Sequence, residues 1–399
     1  MQTVHISYWF DGVVGATVVA CQFQIYRWIR RALVKHLAPG QAKLACAALL
    51  VFLAAPLLVI ELNSESYFWQ PLPFTGRAAA FAAGIWVAGS TGAVLLLAAG
   101  AFLRRVPARA ASSPRSRGGF VAGRRRLLET AVQAAAALAP FGVAGYGTLI
   151  VRKNFLLREA DFPVSGLHPD LEGLRMALLS DIHLSPYLSL PELDRVIAMA
   201  NETRPHIALV TGDLITRQGD PLETCLARLA RLRADAGVFG CLGNHEVYAD
   251  CQDLAATWGR ALGIEFLRLE HRVLRFGNAH LNIAGVDYQR QRRPYLVGAE
   301  WLLEPGTVNL LLSHNPDVFP VASRLGYDLV VGGHTHGGQV TIEILEQTLN
   351  ASRFFTPYVA GLYRRPGSAL YVSRGIGTIN LPMRLGATPE VALLRLRRA

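Results

Sequence analysis

Residues 176–183 read Met-Ala-Leu-Leu-Ser-Asp-Ile-His, a short apolar run that stops on an aspartate and a histidine. The same design recurs four times further along. Residues 207–213 (IALVTGD) end on Asp213, and 237–246 (GVFGCLGNHE) end on Asn244, His245 and Glu246. Residues 308–315 (VNLLLSHN) carry His314, and 328–338 (DLVVGGHTHGG) carry His334 and His336. Short apolar runs bounded by turn residues read as strands buried on both faces. Strands are expected at 176–180, 207–211, 237–242, 281–286, 308–313, 328–331, 370–373 and 391–396, with helices at 190–201 and 222–234. An α/β fold follows, in which strand ends run out into loops that can converge on one crevice.

The residue types at those ends name the chemistry. Carboxylate, amide and imidazole together, without thiolate, suit Mn, Fe or Zn. A carboxylate can bridge two cations, so Asp213 is the natural shared ligand. A single histidine at a strand end is usually structural, but these ends hold five of the chain's 11 histidines. The glycine pairs on both sides of His334-Thr335-His336 are expected to let backbone approach the cations. The five cysteines, Cys21, Cys46, Cys225, Cys241 and Cys251, match no zinc spacing and read as small buried hydrophobes.

In that order, DIH, GD, GNHE, SHN and GGHTHGGQ resemble the calcineurin-like metallophosphoesterase superfamily, in its membrane-tethered bacterial branch. The tail YVSRGIGTINLPMRLGATPEVALLRL (371–396) resembles that branch too, so the likeness runs over about residues 170–398. It implies a four-layer sandwich of two mixed β-sheets flanked by helices, and two divalent metal ions. One would take Asp181, His183, Asp213 and His336; the other would take Asp213, Asn244, His314 and His334. It also implies water as nucleophile, with His245 beside the leaving oxygen. The protein phosphatases of the superfamily have GDxxDRG where this chain has GDLITRQ. Thr216 stands in the aspartate's place, which argues against a protein substrate and leaves the partner of His245 open, Glu246 being one candidate. Arg217 keeps the arginine's place and is a candidate phosphate contact.

The first 160 residues have another texture. They carry 17 Lys and Arg against 5 Asp and Glu, whereas residues 161–399 carry 23 against 24. The net charge of +11 therefore belongs to a membrane region at 1–160 and not to the catalytic domain expected at 161–399, which argues against a nucleic-acid partner. Residues 44–62 and 78–103 read as transmembrane helices, 131–151 as a third despite Pro140, and 8–23 equally as a further span or as an interfacial or amphipathic helix. Arg27, Arg30, Arg31, Lys35 and Lys43 precede the first span; Arg104, Arg105, Arg109, Arg115, Arg117 and Arg124 to Arg126 follow the second. Positive-inside logic makes both clusters cytoplasmic and the 63–77 loop external. A crossing at 131–151 then puts the catalytic domain outside the cell membrane. The run Arg124-Arg125-Arg126-Leu127-Leu128 reads equally as a twin-arginine export signal or a topology anchor. The expected substrate is a membrane lipid or amphiphilic phosphoester, cleaved at a phosphodiester or pyrophosphate bond; the superfamily includes hydrolases of UDP-2,3-diacylglucosamine. A phosphomonoesterase, and a membrane protein that binds metal without turnover, stay open as alternatives.

Overall fold

Along the strands, neighbouring side chains serve different cores. In the computed structural model, which describes residues 2–63, 77–104, 119–290, 294–344 and 347–399, Met176 and Leu178 point into one apolar cluster while Ala177 and Leu179 point into another. The period-2 rule of a strand produces that split, and a strand with apolar residues on both faces must lie inside a layered structure.

The first sheet runs β1 (Leu156–Val164), β14 (Glu390–Arg398), β2 (Arg175–Leu179), β3 (Ile207–Thr211), β4 (Val238–Cys241) and β5 (Ile264–Phe266). The second runs β12 (Gly361–Arg365), β13 (Ser368–Val372), β9 (Leu329–Gly332), β8 (Val308–Leu312), β7 (Ala279–Gly285) and β6 (Glu270–Phe276). Both are mixed: β2 to β5 are parallel with β14 antiparallel beside β2, and β6 and β12 are antiparallel edges on a parallel centre. The sheets pack face to face through Leu178, Leu209, Leu281, Leu310 and Val331. The outer face of the first is covered by α5 (Leu190–Glu202), α6 (Leu222–Leu229) and α8 (Gln252–Ala261). The outer face of the second is covered by α9 (Phe319–Leu325) and the 299–302 turn. The short helix α7 (Asn244–Tyr248) leads from β4 towards α8, and β10 (Thr341–Ile344) pairs with β11 (Gln347–Asn350) outside both sheets. This is the expected four-layer sandwich. β1 starts at Leu156, so the domain boundary drawn at 161 falls inside that strand.

Helix α6 stops at Leu229, short of the expected 234. The Asn201 side chain captures the next turn, bonding Arg231 O and Arg233 N at 2.9 and 2.8 Å.

Four helices precede the sandwich: α1 (Gln2–His36), α2 (Pro39–Asn63), α3 (Arg77–Leu103) and α4 (Gly119–Leu149). Among the described residues, three segments are long and apolar enough to cross a membrane: Pro39–Glu61, Arg77–Leu103 and Gly123–Lys153. Residues 8–23 lie within α1; the 64–76 loop and Arg105, Arg109, Arg115 and Arg117 lie outside the described residues. Pro140 does not end α4, and α3 closes on it there: Cβ atoms at Gly89 and Gly92 would clash with Phe141 and Pro140.

The ends of α3 and α4 meet the sandwich at Glu192. Arg77 and Arg152 both pair with it, Arg152 at 3.1 Å, and Glu192 also caps α5 by accepting from Ser189 N at 2.8 Å. Burial works to raise its pKa, but the Ser189 donors and both guanidiniums outweigh it and hold the carboxyl at about 2. A depressed carboxylate stabilises above its unfolded pKa and loses that contribution as pH falls through the folded value. Glu192→Gln should therefore cost about 2 kcal/mol near pH 7. Melting curves should show the gap between wild type and variant closing as pH falls from about 4.5 to about 2.

Candidate metal centre

The parallel strands end on the residues whose spacing marked them. Asp181 and His183 follow β2, Asp213 follows β3, Asn244 and His245 open α7 after β4, His314 follows β8, and His334 and His336 follow β9. Five of these residues adopt left-handed backbone: Asp181 at φ 50°, His183 at 47°, Asp213 at 55°, His334 at 73° and His336 at 52°. Each such residue costs about 1–3 kcal/mol and persists only where its surroundings enforce it. Here the loops are tied to one another: Asp181 N donates to Gly212 O at 3.1 Å and His183 N to Asp213 O at 2.9 Å.

The side chains converge with almost no exposure. Asp181, His183 and His336 bring donor atoms within 4.8 Å of one another, as do Asp213, His314 and His334, and also His183, Asp213 and His245. Asp213 Oδ2 is the hub, 2.9 Å from His314 Nε2, 3.6 Å from His183 Nε2 and 3.9 Å from His245 Nε2. His336 Nε2 lies 3.4 Å from Asp181 Oδ1 and 3.1 Å from His183 Nε2. Asn244 sits on the turn between Gly243 and His245, and its Oδ1 is buried without a hydrogen-bond partner.

This set fits divalent cations. Burial and neighbouring positive charge hold His183 and His336 neutral, and pull His334 down to about 3, so their lone pairs are available. Burial pushes Asp181 up to about 6. Asp213 is held well below the usual range because His314 and His245 outweigh its burial, and Asp213 in turn lifts His314 to about 9 against burial. Two buried carboxylates, three neutral imidazoles and an orphaned amide oxygen form an acceptor-rich pocket that a pair of cations would satisfy, with His314 giving up its Nε2 proton to join them.

The surrounding groups aim the candidate ligands. His314 Nδ1 donates to Thr211 O at 2.6 Å, which leaves Nε2 facing the hub. His183 Nδ1 meets Thr216 Oγ1 at 3.2 Å. His245 Nδ1 donates to the Thr216 carbonyl at 2.6 Å, so a backbone oxygen replaces the missing aspartate. Glu246 does not orient His245. Its carboxylate is fully buried and accepts from Asp213 N at 3.0 Å, Leu214 N at 2.7 Å and Gly243 N at 2.7 Å, clamping the two ligand loops together. Glu246→Ala would orphan three buried N–H groups; it should lower the melting temperature and weaken metal binding about 10–100-fold in a metal titration.

The glycines make room for protein groups. A Cβ at Gly333 would lie 2.2 Å from Asp181 Oδ2, and one at Gly243 would lie 2.1 Å from Asp213 Oδ1. On the far side of the motif, Gly337 abuts Arg374 and Gly338 abuts Asn350. Arg217 is half-buried on the loop that supports His245; Asp220 accepts from Thr216 N and Arg217 N at 3.0 and 3.1 Å. The five cysteines are free, three of them buried in the sandwich.

Two residues beside the ligand cluster have no role assigned from the sequence. Arg384 is fully buried and donates to the carbonyls of Arg374 at 2.6 Å, His336 at 3.1 Å and Ala387 at 3.2 Å, while its own N–H reaches Gly147 O in α4. A cation inside the apolar run LPMRLGA was the available signal. The Tyr288 ring lies 5.8 Å from that of His334 and 6.2 Å from that of His314, and nothing in its sequence surroundings marked it.

Two mixed sheets with a buried carboxylate–histidine cluster at their strand ends are the fold and candidate site of a metallophosphoesterase domain. Residues 174–338 match the family model described as Calcineurin-like phosphoesterase. The chain is 32% identical over 232 residues to an uncharacterized metallophosphoesterase of Aquifex aeolicus, covering 55% of this chain and 83% of that protein. It is 30% identical over 271 residues to the transmembrane protein with metallophosphoesterase domain of Danio rerio, covering 64% of this chain and 61% of that longer protein. It is also 28% identical over 235 residues to phosphodiesterase YaeI of Escherichia coli, covering 56% and 82%. The chain belongs to the calcineurin-like metallophosphoesterase family, whose members are metal-dependent phosphoester hydrolases that normally bind two divalent ions.

Proposed function

We propose that this chain is a membrane-held phosphodiesterase that cleaves a phosphodiester or pyrophosphate bond of a lipid-linked or other amphiphilic substrate. The observation that carries the reading is the convergence of donor atoms around Asp213 Oδ2 from the ends of β2, β3, β8 and β9. Asp181, His183, Asp213 and His336 would hold one ion of Mn, Fe or Zn; Asp213, Asn244, His314 and His334 would hold the other. When bound, such a pair supplies the Lewis acidity and the activated water for hydrolysis. The chain itself supplies the proton. With Nδ1 tied to Thr216 O, His245 exchanges its proton at Nε2, on the side facing the cluster, and passes it to the leaving oxygen. The likeness to a protein named a phosphodiesterase supports a diester over a monoester.

The full chain in detergent, loaded with Mn, tests this against a phosphodiester, a phosphomonoester and UDP-2,3-diacylglucosamine. Turnover of the diester or the pyrophosphate above the monoester is expected. Turnover of the monoester alone would favour a phosphomonoesterase, and bound metal without turnover a non-catalytic role.

An extracytoplasmic domain is supported by the contacts at Glu192. Arg77 at the start of α3 and Arg152 beyond α4 meet there, whereas Arg104 and Arg124 to Arg126 lie at the opposite ends of those helices. With the arginine-rich ends cytoplasmic, the domain lies outside. A reporter active only in the cytoplasm, fused after Ala399, should be silent; a signal from it would reverse the topology.

A further inference from the structure

Where the membrane helices meet the sandwich there is an open, largely carbon-lined cleft of about 440 Å³. Leu184, Pro186 and Leu190, from the segment after β2, line it together with Pro221, Thr224 and Arg77. The volume lies within the roughly 300–1,000 Å³ of typical ligand pockets. Two of the lining segments continue the loops of the candidate metal centre. Leu184 directly follows His183, and Pro221 directly follows Asp220, the carboxylate that braces Thr216 under His245.

We propose that this cleft takes the hydrocarbon chain of the substrate, so that the enzyme selects phosphodiesters carrying a long alkyl or acyl tail. The inference rests on the phosphodiesterase reading and deepens it. The cleft's place relative to the bilayer follows from α3. At 27 residues and about 1.5 Å per residue that helix is about 40 Å long, against a hydrocarbon core of about 30 Å, so its first residue sits at headgroup depth. The cleft therefore opens at the membrane surface, where a tail leaves the lipid phase and its phosphate would reach the histidine cluster. The wall chemistry agrees, because Leu, Pro and the Thr224 methyl offer an alkyl chain apolar contact. Arg77, among the lining residues, is held by Glu192 and stacks over Phe81 with its guanidinium 5.3 Å from the ring centroid. A cation so fixed favours an anionic phosphate passing over it.

The test uses the full chain in neutral phosphatidylcholine nanodiscs with Mn and p-nitrophenyl phosphodiesters whose second ester is methyl, octyl or hexadecyl. In wild type, kcat/KM should rise by about tenfold or more from methyl to octyl, through KM. Thr224→Trp fills the cleft and should bring the octyl-to-methyl ratio close to one, while Thr224→Ser should keep it. Binding is read separately, without metal, from the affinity for a fluorescent hexadecyl phosphodiester, which Thr224→Trp should weaken about tenfold. An unchanged ratio and unchanged affinity in Thr224→Trp would overturn the inference. If no diester is turned over at any chain length but the fluorescent diester still binds and Thr224→Trp weakens it, the phosphodiesterase reading fails and the cleft's assignment stands.

Discussion

Asp213→Asn is expected to abolish turnover and to release metal from both halves of the site. Asp213 Oδ2 lies within 3.9 Å of the Nε2 atoms of His183, His245 and His314, and its Oδ1 accepts from His245 N at 3.0 Å. An amide of the same shape keeps one oxygen but loses the charge that offsets two cations, and its NH2 would point a donor at imidazole nitrogens. Groups that merely support metal ligands cost about 10–100-fold in affinity when removed, so the shared ligand should cost more. Metal analysis of the purified variant, with kcat for a diester, reads both consequences. Two metals retained with normal turnover would remove Asp213 from the centre of the site.

His245 should behave differently. The scheme assigns it no metal, so His245→Ala should leave metal content unchanged and slow turnover by about 10²–10⁴-fold, the range for loss of a general acid. The loss should be greatest for alkoxide leaving groups, which need the proton, and smaller for nitrophenolate, which departs without much help. The ring is buried beside that of His183, at 4.5 Å between centroids, so a purely structural role would harm both substrate types alike. Equal losses on the two, or a lost metal, would contradict the assignment.

The catalytic core was legible because its strands lie between layers. β2, β3, β8 and β9 read as short runs dominated by buried apolar residues, and each ends at a polar candidate ligand that stands out against it. Edge strands lack that contrast. β6 reads Glu-His-Arg-Val-Leu-Arg-Phe and is half-buried or exposed throughout, so only its tertiary pairing with β7 makes it a strand. The end of α6 was hidden for a similar reason, because Asn201, which terminates it, sits on another helix.

Within the site, the ligand types were readable and their supports were not. The group that orients His245 is a main-chain carbonyl, and a carbonyl belongs to every residue, so no residue type announces it. Glu246 was conspicuous beside His245, but its acceptors face backbone N–H groups of the neighbouring loop, a contact that only folding creates. The left-handed backbone at Asp181, His183, Asp213, His334 and His336 is likewise held by loop-to-loop hydrogen bonds; Asp and His adopt it more readily than most residues, but residue type alone does not announce it.

The central claim is that this chain hydrolyses a phosphodiester with two cations held by the cluster around Asp213. Titrating Mn into metal-free full-length protein, with bound metal and bis-p-nitrophenyl phosphate turnover measured on the same samples, tests it most directly. The account predicts that binding saturates at two ions per chain and that turnover follows occupancy of the second site. Saturation at one ion with full turnover, or two bound ions without turnover, would contradict it.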